Sequence, residues 1–240
     1  MSNRRAIILA GGMGTRLRPY TAVLPKPLMP VGDYPILEVI IRQLVNNGYD
    51  HITLTVNHQA DIIKAFFGDG SKWNIKIDYS LEHRALGTMG PLSLINDLPE
   101  HFLVMNGDIL SDISYGEFYN DHVRRGDMFT ISSYVREHVN LYGVLEKSDQ
   151  GYLTGFHEKP KTRFEVSMGI YMLSKGVLKF IPYNEPYGFD RLMLDMIKQN
   201  EKVHVKPFSG YWLDIGRPDD YMQAIDEFES KKNIFLPVSK

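Results

Sequence analysis

The sequence predicts an α/β fold built on a mostly parallel sheet, and three observations carry that prediction. Residues 6–10, AIILA, are apolar without a polar break, the pattern of a strand buried on both faces. Apolar and alternating runs then trade places with segments of helical spacing. This β-α-β-α-β rhythm predicts parallel strands with helices on both faces of the sheet. The length of 240 residues, with 43% hydrophobic, suits one large globular domain with a substantial core.

The elements follow in order. Residues 36–47 (ILEVIIRQLVNN) carry apolar side chains at helical spacing and stop at Gly48, a natural C-terminal stop. Residues 51–56 (HITLTV) alternate as a second strand. Residues 60–67 form a short helix, closed by the turn Gly68-Asp69-Gly70, and 75–79 a third strand. Residues 82–94, opening EHRALGTMG, are expected to start a helix whose first turn tolerates Pro91, since that N–H has no intrahelical partner. Residues 101–105 (HFLVM) read as a buried strand ending in Asn106-Gly107-Asp108. A helix over 118–125 and a strand over 128–135 come next, and Gln150-Gly151 is the turn between two hairpin strands. Residues 167–173 and 203–208 are expected as strands, and 177–180, 192–199 and 221–230 as helices. No repeat, low-complexity segment or linker interrupts the chain. A single domain over 1–240 is expected, with an N-terminal half to about residue 110 and a second half over about 111–230.

Composition excludes several function classes. Lys+Arg is 27 and Asp+Glu is 29, a net charge of −2, so a nucleic-acid or membrane partner has no electrostatic support. Cysteine is absent, which removes disulfides and thiolate metal sites. The eight histidines show no H-E-x-x-H spacing and read as surface or core. The basic start, MSNRR, runs into a strand too short for a signal sequence, and no run approaches the ~18 apolar residues of a membrane span. A soluble, cytoplasmic protein is expected.

The chemistry begins where the first strand ends. Gly11, Gly12 and Gly14 follow Leu9 and Ala10 at once. Without side chains they bring backbone N–H groups close to a ligand, and successive N–H groups form a concave anion site. Arg16 and Lys26 add fixed positive charge, so strand, glycine loop and cations describe a polyphosphate cradle. It is not a Walker A loop, which needs a Gly-Lys pair. Nor is it a G-x-G-x-x-G dinucleotide fingerprint, because Leu17 stands where the third glycine belongs.

The stretch as a whole resembles the signature of the sugar-1-phosphate nucleotidylyltransferases, or NDP-sugar pyrophosphorylases. It reads Gly11-Gly12-Met13-Gly14-Thr15-Arg16-Leu17-Arg18-Pro19-Tyr20-Thr21, then Pro25-Lys26-Pro27-Leu28 and Tyr34-Pro35-Ile36. Tyr20 and Tyr34 replace a frequent Leu and Lys. Further segments continue the resemblance: Glu82 with Leu86-Gly87-Thr88 and Gly90, Gly107-Asp108, Tyr142-Gly143-Val144, Glu158-Lys159-Pro160, Gly169-Ile170-Tyr171, and Gly210 through Gly216 around Trp212 and Asp214. Ser167 and Met168 depart from the Asn-Ala common in mannose-type members. Taken alone, an Asp after a strand is an ordinary turn residue, and Glu-Lys-Pro is a solvated charge pair before a turn.

The resemblance implies a Rossmann-like three-layer sandwich, the nucleotide-diphospho-sugar transferase fold, without the C-terminal β-helix that many members carry. It implies nucleotide binding by Leu9, Ala10, Gly11, Gly12, Gly14, Thr15, Arg16, Lys26, Glu82, Gly87, Thr88 and Asp108, and sugar-phosphate binding by Gly143, Glu158, Lys159, Gly169 and Trp212. Mg²⁺ is the implied cofactor, held by Asp108 and Asp214. The implied substrates are an NTP and a sugar 1-phosphate, converted to NDP-sugar and pyrophosphate by in-line attack at the α-phosphorus. Arg16 would meet charge on the leaving pyrophosphate, Lys26 the triphosphate, and Lys159 the sugar phosphate. Pro-Lys-Pro-Leu and Leu-Gly-Thr-x-Gly look closest to members using GTP with mannose- or heptose-type phosphates. Thymidylyl, uridylyl or cytidylyl transfer, a non-catalytic NDP-sugar-binding regulator, and a homo-oligomer all remain open.

Overall fold

The computed structural model describes residues 4–57 and 59–236; residues 1–3 of the basic start, His58 and residues 237–240 lie outside them. In chain order the elements are β1 (Arg5–Leu9), β2 (Pro30–Val31), β3 (Tyr34–Pro35), α1 (Ile36–Asn46), β4 (His51–Val56), α2 (Ala60–Phe67), β5 (Lys76–Leu81), β6 (His101–Asn106), β7 (Ile109–Ser111), α3 (Tyr115–Arg125), β8 (Phe129–Val139), β9 (Val144–Lys147), β10 (Leu153–His157), β11 (Lys161–Ser174), α4 (Phe189–Lys198), β12 (Val203–Phe208), β13 (Trp212–Asp214) and α5 (Pro218–Phe235).

Seven strands form one sheet in the order β12-β8-β11-β6-β1-β4-β5. β1 lies parallel to β4 and β6, β4 to β5, and β12 to β8. β11 alone is antiparallel, to both β6 and β8. The unbroken apolar run of β1 has the predicted cause: Ala6 and Ile8 enter the core on one face, Ile7 the core on the other. Helices α1, α2, α3 and α5 cover the first face, with Ile36, Ile40, Phe67, Tyr115 and Phe228 packed into that core. α4 covers the second through Leu192 and Met196. These are the three layers that the pattern of elements predicted. No helix among the described residues is long and apolar enough to cross a membrane.

Local chemistry moves several boundaries. α3 starts three residues before the expected 118, because Ser114 caps it: its side-chain oxygen accepts from the Glu117 N–H at 3.3 Å, the start of an S-x-x-E capping box. α5 opens with Pro218, pre-set for the first helical position. Two expected helices are only short 3-10 segments. In 82–94 the chain is irregular up to Gly90–Leu94, because Gly87 takes φ +75, which ends an α-helical path. Lys175–Phe180 is likewise 3-10. Ile181, extended at ψ 110, precedes Pro182, and a residue before proline is disfavoured from the α region.

β8 and β11 are longer than expected. Beyond the sheet they continue as a paired arm, with Lys161 opposite Val139. The expected hairpin on Gln150-Gly151 is present as antiparallel β9 and β10. The β8–β11 register shifts between Ser167 and Tyr171, and Gly169 sits in this irregularity at φ +74, as a β-bulge glycine does. A Cβ on Gly169 would come 2.6 Å from Asn106 Nδ2. The bulge therefore brings the β11 backbone against the end of β6, beside the site.

Candidate active site

Strand order reverses at β1: the chain moves outward to β4 and β5, then returns to β6 on the other flank. Open α/β sheets bind ligands outside the carboxyl ends of strands at such a switch point. Here those ends carry Leu9-Ala10 followed by the glycine loop, and Asn106-Gly107-Asp108. The two are tied together: Ala10 N–H donates to Thr55 O at 3.0 Å and Gly107 N–H to Leu9 O at 3.0 Å.

The glycine loop is held open by specific contacts. Gly14 takes φ +60, and a Cβ there would lie 2.9 Å from Thr21 Cγ2. The Thr21 hydroxyl donates to Gly14 O at 2.7 Å, and the Asn57 amide donates to Gly11 O. A Cβ on Gly11 would meet Glu82 Oε1 at 3.0 Å, so the loop and Glu82 face each other closely.

Between them lies a cleft of ≈350 Å³. Seven residues expected from the sequence line it: Leu9, Gly11, Gly12, Glu82, Gly87, Thr88 and Asp108. Leu86, part of the same motif as Gly87 and Thr88, lines it as well. Met13, Thr55, Asn57, Ala85 and Asn106 also line it and were not anticipated as binding residues; Thr55, Asn57 and Asn106 stand at strand ends, the one signal that could have found them. Of the expected nucleotide residues outside the lining, Ala10 is buried under the loop and Thr15 is exposed. The Glu82 carboxyl is nearly buried. Burial raises its pKa, opposed by the Leu86 N–H, which donates to Oε2 at 3.2 Å. Thr55 Oγ1 and Asp108 Oδ1 are buried without a hydrogen-bond partner, and such groups call for a ligand, water or ion.

The two expected metal carboxylates, 106 positions apart in sequence, are brought together by a two-stranded ladder. β13 pairs antiparallel with β7, setting Asp214 opposite Ile109, and Ile215 N–H donates to Asp108 O at 3.0 Å. Lys26 Nζ donates to Asp108 Oδ2. Burial raises the Asp214 pKa, and the Asp108 charge raises it further; Lys26 and Arg16 act against both. Asp108, Asp214, Lys26 and Arg16 thus form one electrostatic unit. A half-buried carboxylate pair with an unpartnered oxygen fits Mg²⁺, an ion usually held by one or two carboxylates together with waters and substrate phosphates. Among the described residues no group of three or more His, Asp or Glu is gathered as a metal cage.

Beyond Asp214 opens a second cavity of ≈400 Å³, lined by Arg16, Arg136, Ser167, Trp212, Asp214 and Arg217 among others. Of the residues expected on the sugar side, Trp212 is among those lining it. Arg136 and Arg217 were not anticipated, and nothing in their local sequence marks them. Gly143 lies against the Phe156 ring and close to Glu158, whose Oε2 would be 3.2 Å from a Cβ at that position. Glu158 and Lys159 are exposed at the end of the hairpin, and Lys159 takes φ +43. None of these three is among the residues lining either cavity.

Residues 5–231 match the family model described as nucleotidyl transferase. The chain belongs to the nucleotidyl transferase family. Over 97% of its length it is 32% identical to UTP--glucose-1-phosphate uridylyltransferase of Synechocystis, covering 66% of that protein. Over 92% it is 34% identical to a probable mannose-1-phosphate guanylyltransferase 1 of Oryza sativa, covering 63%. This nucleotidyl transferase chain thus spans somewhat under two thirds of the length of those relatives. Among solved structures, it superposes on HddC from Yersinia pseudotuberculosis with TM-score 0.72 and 27% identity, covering 94% of this chain and 99% of that one. HddC complexed with GMP-PN gives TM-score 0.71 at 26% identity, again with 94% and 99% covered.

Proposed function

We propose that this protein transfers a nucleoside monophosphate from an NTP to a sugar 1-phosphate, releasing pyrophosphate, and that GTP is the preferred donor. One observation carries the reading: two cavities are each lined by one member of an electrostatically coupled carboxylate pair, Asp108 in one and Asp214 in the other, with Lys26 and Arg16 acting on the pair. A site joining two anions needs separate compartments, cations at the junction, and no covalent nucleophile. The relatives, uridylyl- and guanylyltransferases for hexose 1-phosphates, support the same reaction class.

In this reading the ≈350 Å³ cleft takes the nucleoside, with base and ribose between the glycine loop and the Glu82–Thr88 segment. Loop N–H groups and Lys26 hold the triphosphate. The sugar 1-phosphate enters from the Trp212 side. One of its phosphate oxygens attacks the α-phosphorus in line, while pyrophosphate leaves along the glycine loop. Arg16 and Lys26 neutralise charge on the reacting phosphoryl groups, the largest kind of contribution available to such a reaction. Asp108 and Asp214 would hold Mg²⁺, which when bound supplies Lewis-acid neutralisation of the phosphoryl oxygens. Positioning supplies the rest. Lys159 is assigned to the sugar phosphate, and Gly143, Glu158 and Gly169 to the sugar side.

Glu82 supports the base assignment. An ionised carboxylate only accepts hydrogen bonds. Guanine presents two adjacent donors, N1–H and the 2-amino group, which a carboxylate can accept together. Uracil and thymine present one N–H between two carbonyls, which would repel its second oxygen. HddC in complex with GMP-PN is consistent with a guanine nucleotide in this fold.

The test is pyrophosphate release on incubation with each of four NTPs, Mg²⁺ and a panel of sugar 1-phosphates. Turnover is expected with GTP and a hexose- or heptose-type 1-phosphate, and little with ATP. Tight NDP-sugar binding without turnover on any pair would overturn the enzyme in favour of a binding regulator.

A further inference from the structure

The second cavity gathers three guanidinium groups. Its lining includes Arg16, Arg136 and Arg217 against Asp214 and Asp220. Asp220 is already engaged, accepting from the Arg217 N–H at 2.9 Å. Among the described residues, none of the three guanidinium groups has a carboxylate within ion-pair distance. They outnumber the two carboxylates of the lining and, without such a partner, remain available to hold an anion.

The cations differ in position. Arg16 is at the inner end: its terminal nitrogens lie 3.8 Å from where a Cβ on Gly216 would stand, and its charge acts on Asp214. That is where the reacting phosphates meet. Arg136 is stacked 4.6 Å from the centre of the Trp212 ring. Trp212 and Asp214 are alternate residues of β13 and share one face of it, roughly 7 Å apart along the strand. The ring that carries the Arg136 guanidinium and the Asp214 carboxylate thus stand at separate points along one face of β13, so the cavity offers an anion a second contact besides the one at Asp214.

Arg136 is also pre-positioned. The Trp212 indole N–H donates to Met168 O at 3.0 Å, and the Tyr134 ring packs 5.3 Å from the Trp212 ring, centre to centre. The indole is fixed, so the planar fork stacked on it has a defined orientation. An oriented guanidinium fork matches a carboxylate or phosphate in two-point contact.

We infer that Arg136, supported by Arg217, makes this a site for acceptors that carry a second anionic group, a carboxylate or a second phosphate, on the side of the sugar away from the anomeric phosphate. The inference rests on the proposed transfer reaction and narrows its acceptor class. Arg136 acts as a specificity-determining residue, reading the acceptor without touching the reacting phosphorus.

The experiment compares glucose 1-phosphate, glucuronic acid 1-phosphate and glucose 1,6-bisphosphate as acceptors, with GTP and Mg²⁺. Wild type, Arg136→Gln and Arg217→Gln are compared, with melting temperature and GTP affinity as checks on folding. At least about a tenfold higher kcat/KM is expected for one or both acidic acceptors than for glucose 1-phosphate. The carboxylate and bisphosphate arms separate the two anion types. Arg136→Gln should lower the acidic acceptor more than the neutral one, bringing their ratio close to one. Raising salt should shrink the preference, because the contact is partly solvent-exposed. Equal or better turnover of glucose 1-phosphate would overturn the inference, as would a preference that survives both variants. Calorimetry of the three acceptors without nucleotide reads the inference independently of turnover. Tighter binding of an acidic acceptor, lost in Arg136→Gln, supports it, and equal binding rejects it. An absence of pyrophosphate release with every acceptor would instead count against the transfer reaction.

Discussion

The cleft proposed for the nucleotide and the cavity proposed for the acceptor are built in opposite ways. The cleft is cut into the sheet itself. Its walls are the carboxyl ends of β1, β4 and β6, buried on both faces, and its loop is pinned by backbone hydrogen bonds. The acceptor cavity lies outside the sheet, walled by the bulged β8–β11 ladder, by β13 and by the start of α5. Its side chains are long, exposed arginines rather than glycines and buried strand ends. The first arrangement suits a part of the substrate common to the family, a nucleoside triphosphate. The second suits the part that varies, because arginines on an exposed wall can change without disturbing the core.

The strongest test of that division lies at the seam. Asp108 belongs to the cleft and Asp214 to the cavity, and they act as one unit. Asp108→Asn and Asp214→Asn are each expected to cut kcat/KM on the order of a thousandfold at saturating Mg²⁺, with the double variant close to either single one. Losses that multiply would mean two independent sites and break the comparison.

A second prediction concerns the end of the β8–β11 ladder away from the cavity. His122 on α3 is buried, with ring nitrogens 2.8 Å from Thr130 Oγ1 on β8 and 3.1 Å from Ser174 Oγ on β11. Burial, with His101 nearby, pulls its pKa down to about 4 from 6.5. The unfolded chain therefore takes up the proton first. Stability contributed by neutral His122 is complete above pH 6.5 and is lost as pH falls toward 4, by roughly 3 kcal/mol at most. Denaturant midpoints between pH 7 and pH 4.5 should fall for wild type. They should fall less for His122→Asn; equal slopes would remove His122 from the account.

The smallest expected effect is on the cleft side. Glu82→Gln turns an acceptor-only group into one that also donates, which suits uracil or thymine and disfavours guanine. The ratio of kcat/KM for GTP to that for UTP should drop by about 1–3 kcal/mol, the usual worth of a two-point base contact. An unchanged ratio would place base choice elsewhere in the cleft.

The two regions also differed in how far they could be read from sequence. The cleft was legible because its parts are contiguous: a strand, three glycines and the cations Arg16 and Lys26 within residues 6–26 form a spaced string with one physical purpose. Strands over 51–56 and 203–208 and the helix over 60–67 have their predicted limits, since alternation and turn glycines mark both ends. The cavity was only half legible. Trp212 and Asp214 were marked by their motif, but Arg136 enters through the long β8–β11 pairing, a property of tertiary register. The helix expected over 82–94 failed because the positive φ of Gly87 belongs to a loop lining the cleft, a conformation the residue order alone does not reveal.

The central claim is that acceptor and leaving group stand on opposite sides of one phosphorus, with no protein nucleophile between them. The direct measurement is the stereochemistry at that atom, using GTP with a chiral α-thiophosphate and analysing the NDP-sugar product. A single in-line displacement predicts inversion of configuration. Retention would require a covalent nucleotidyl intermediate on the protein and would contradict the account.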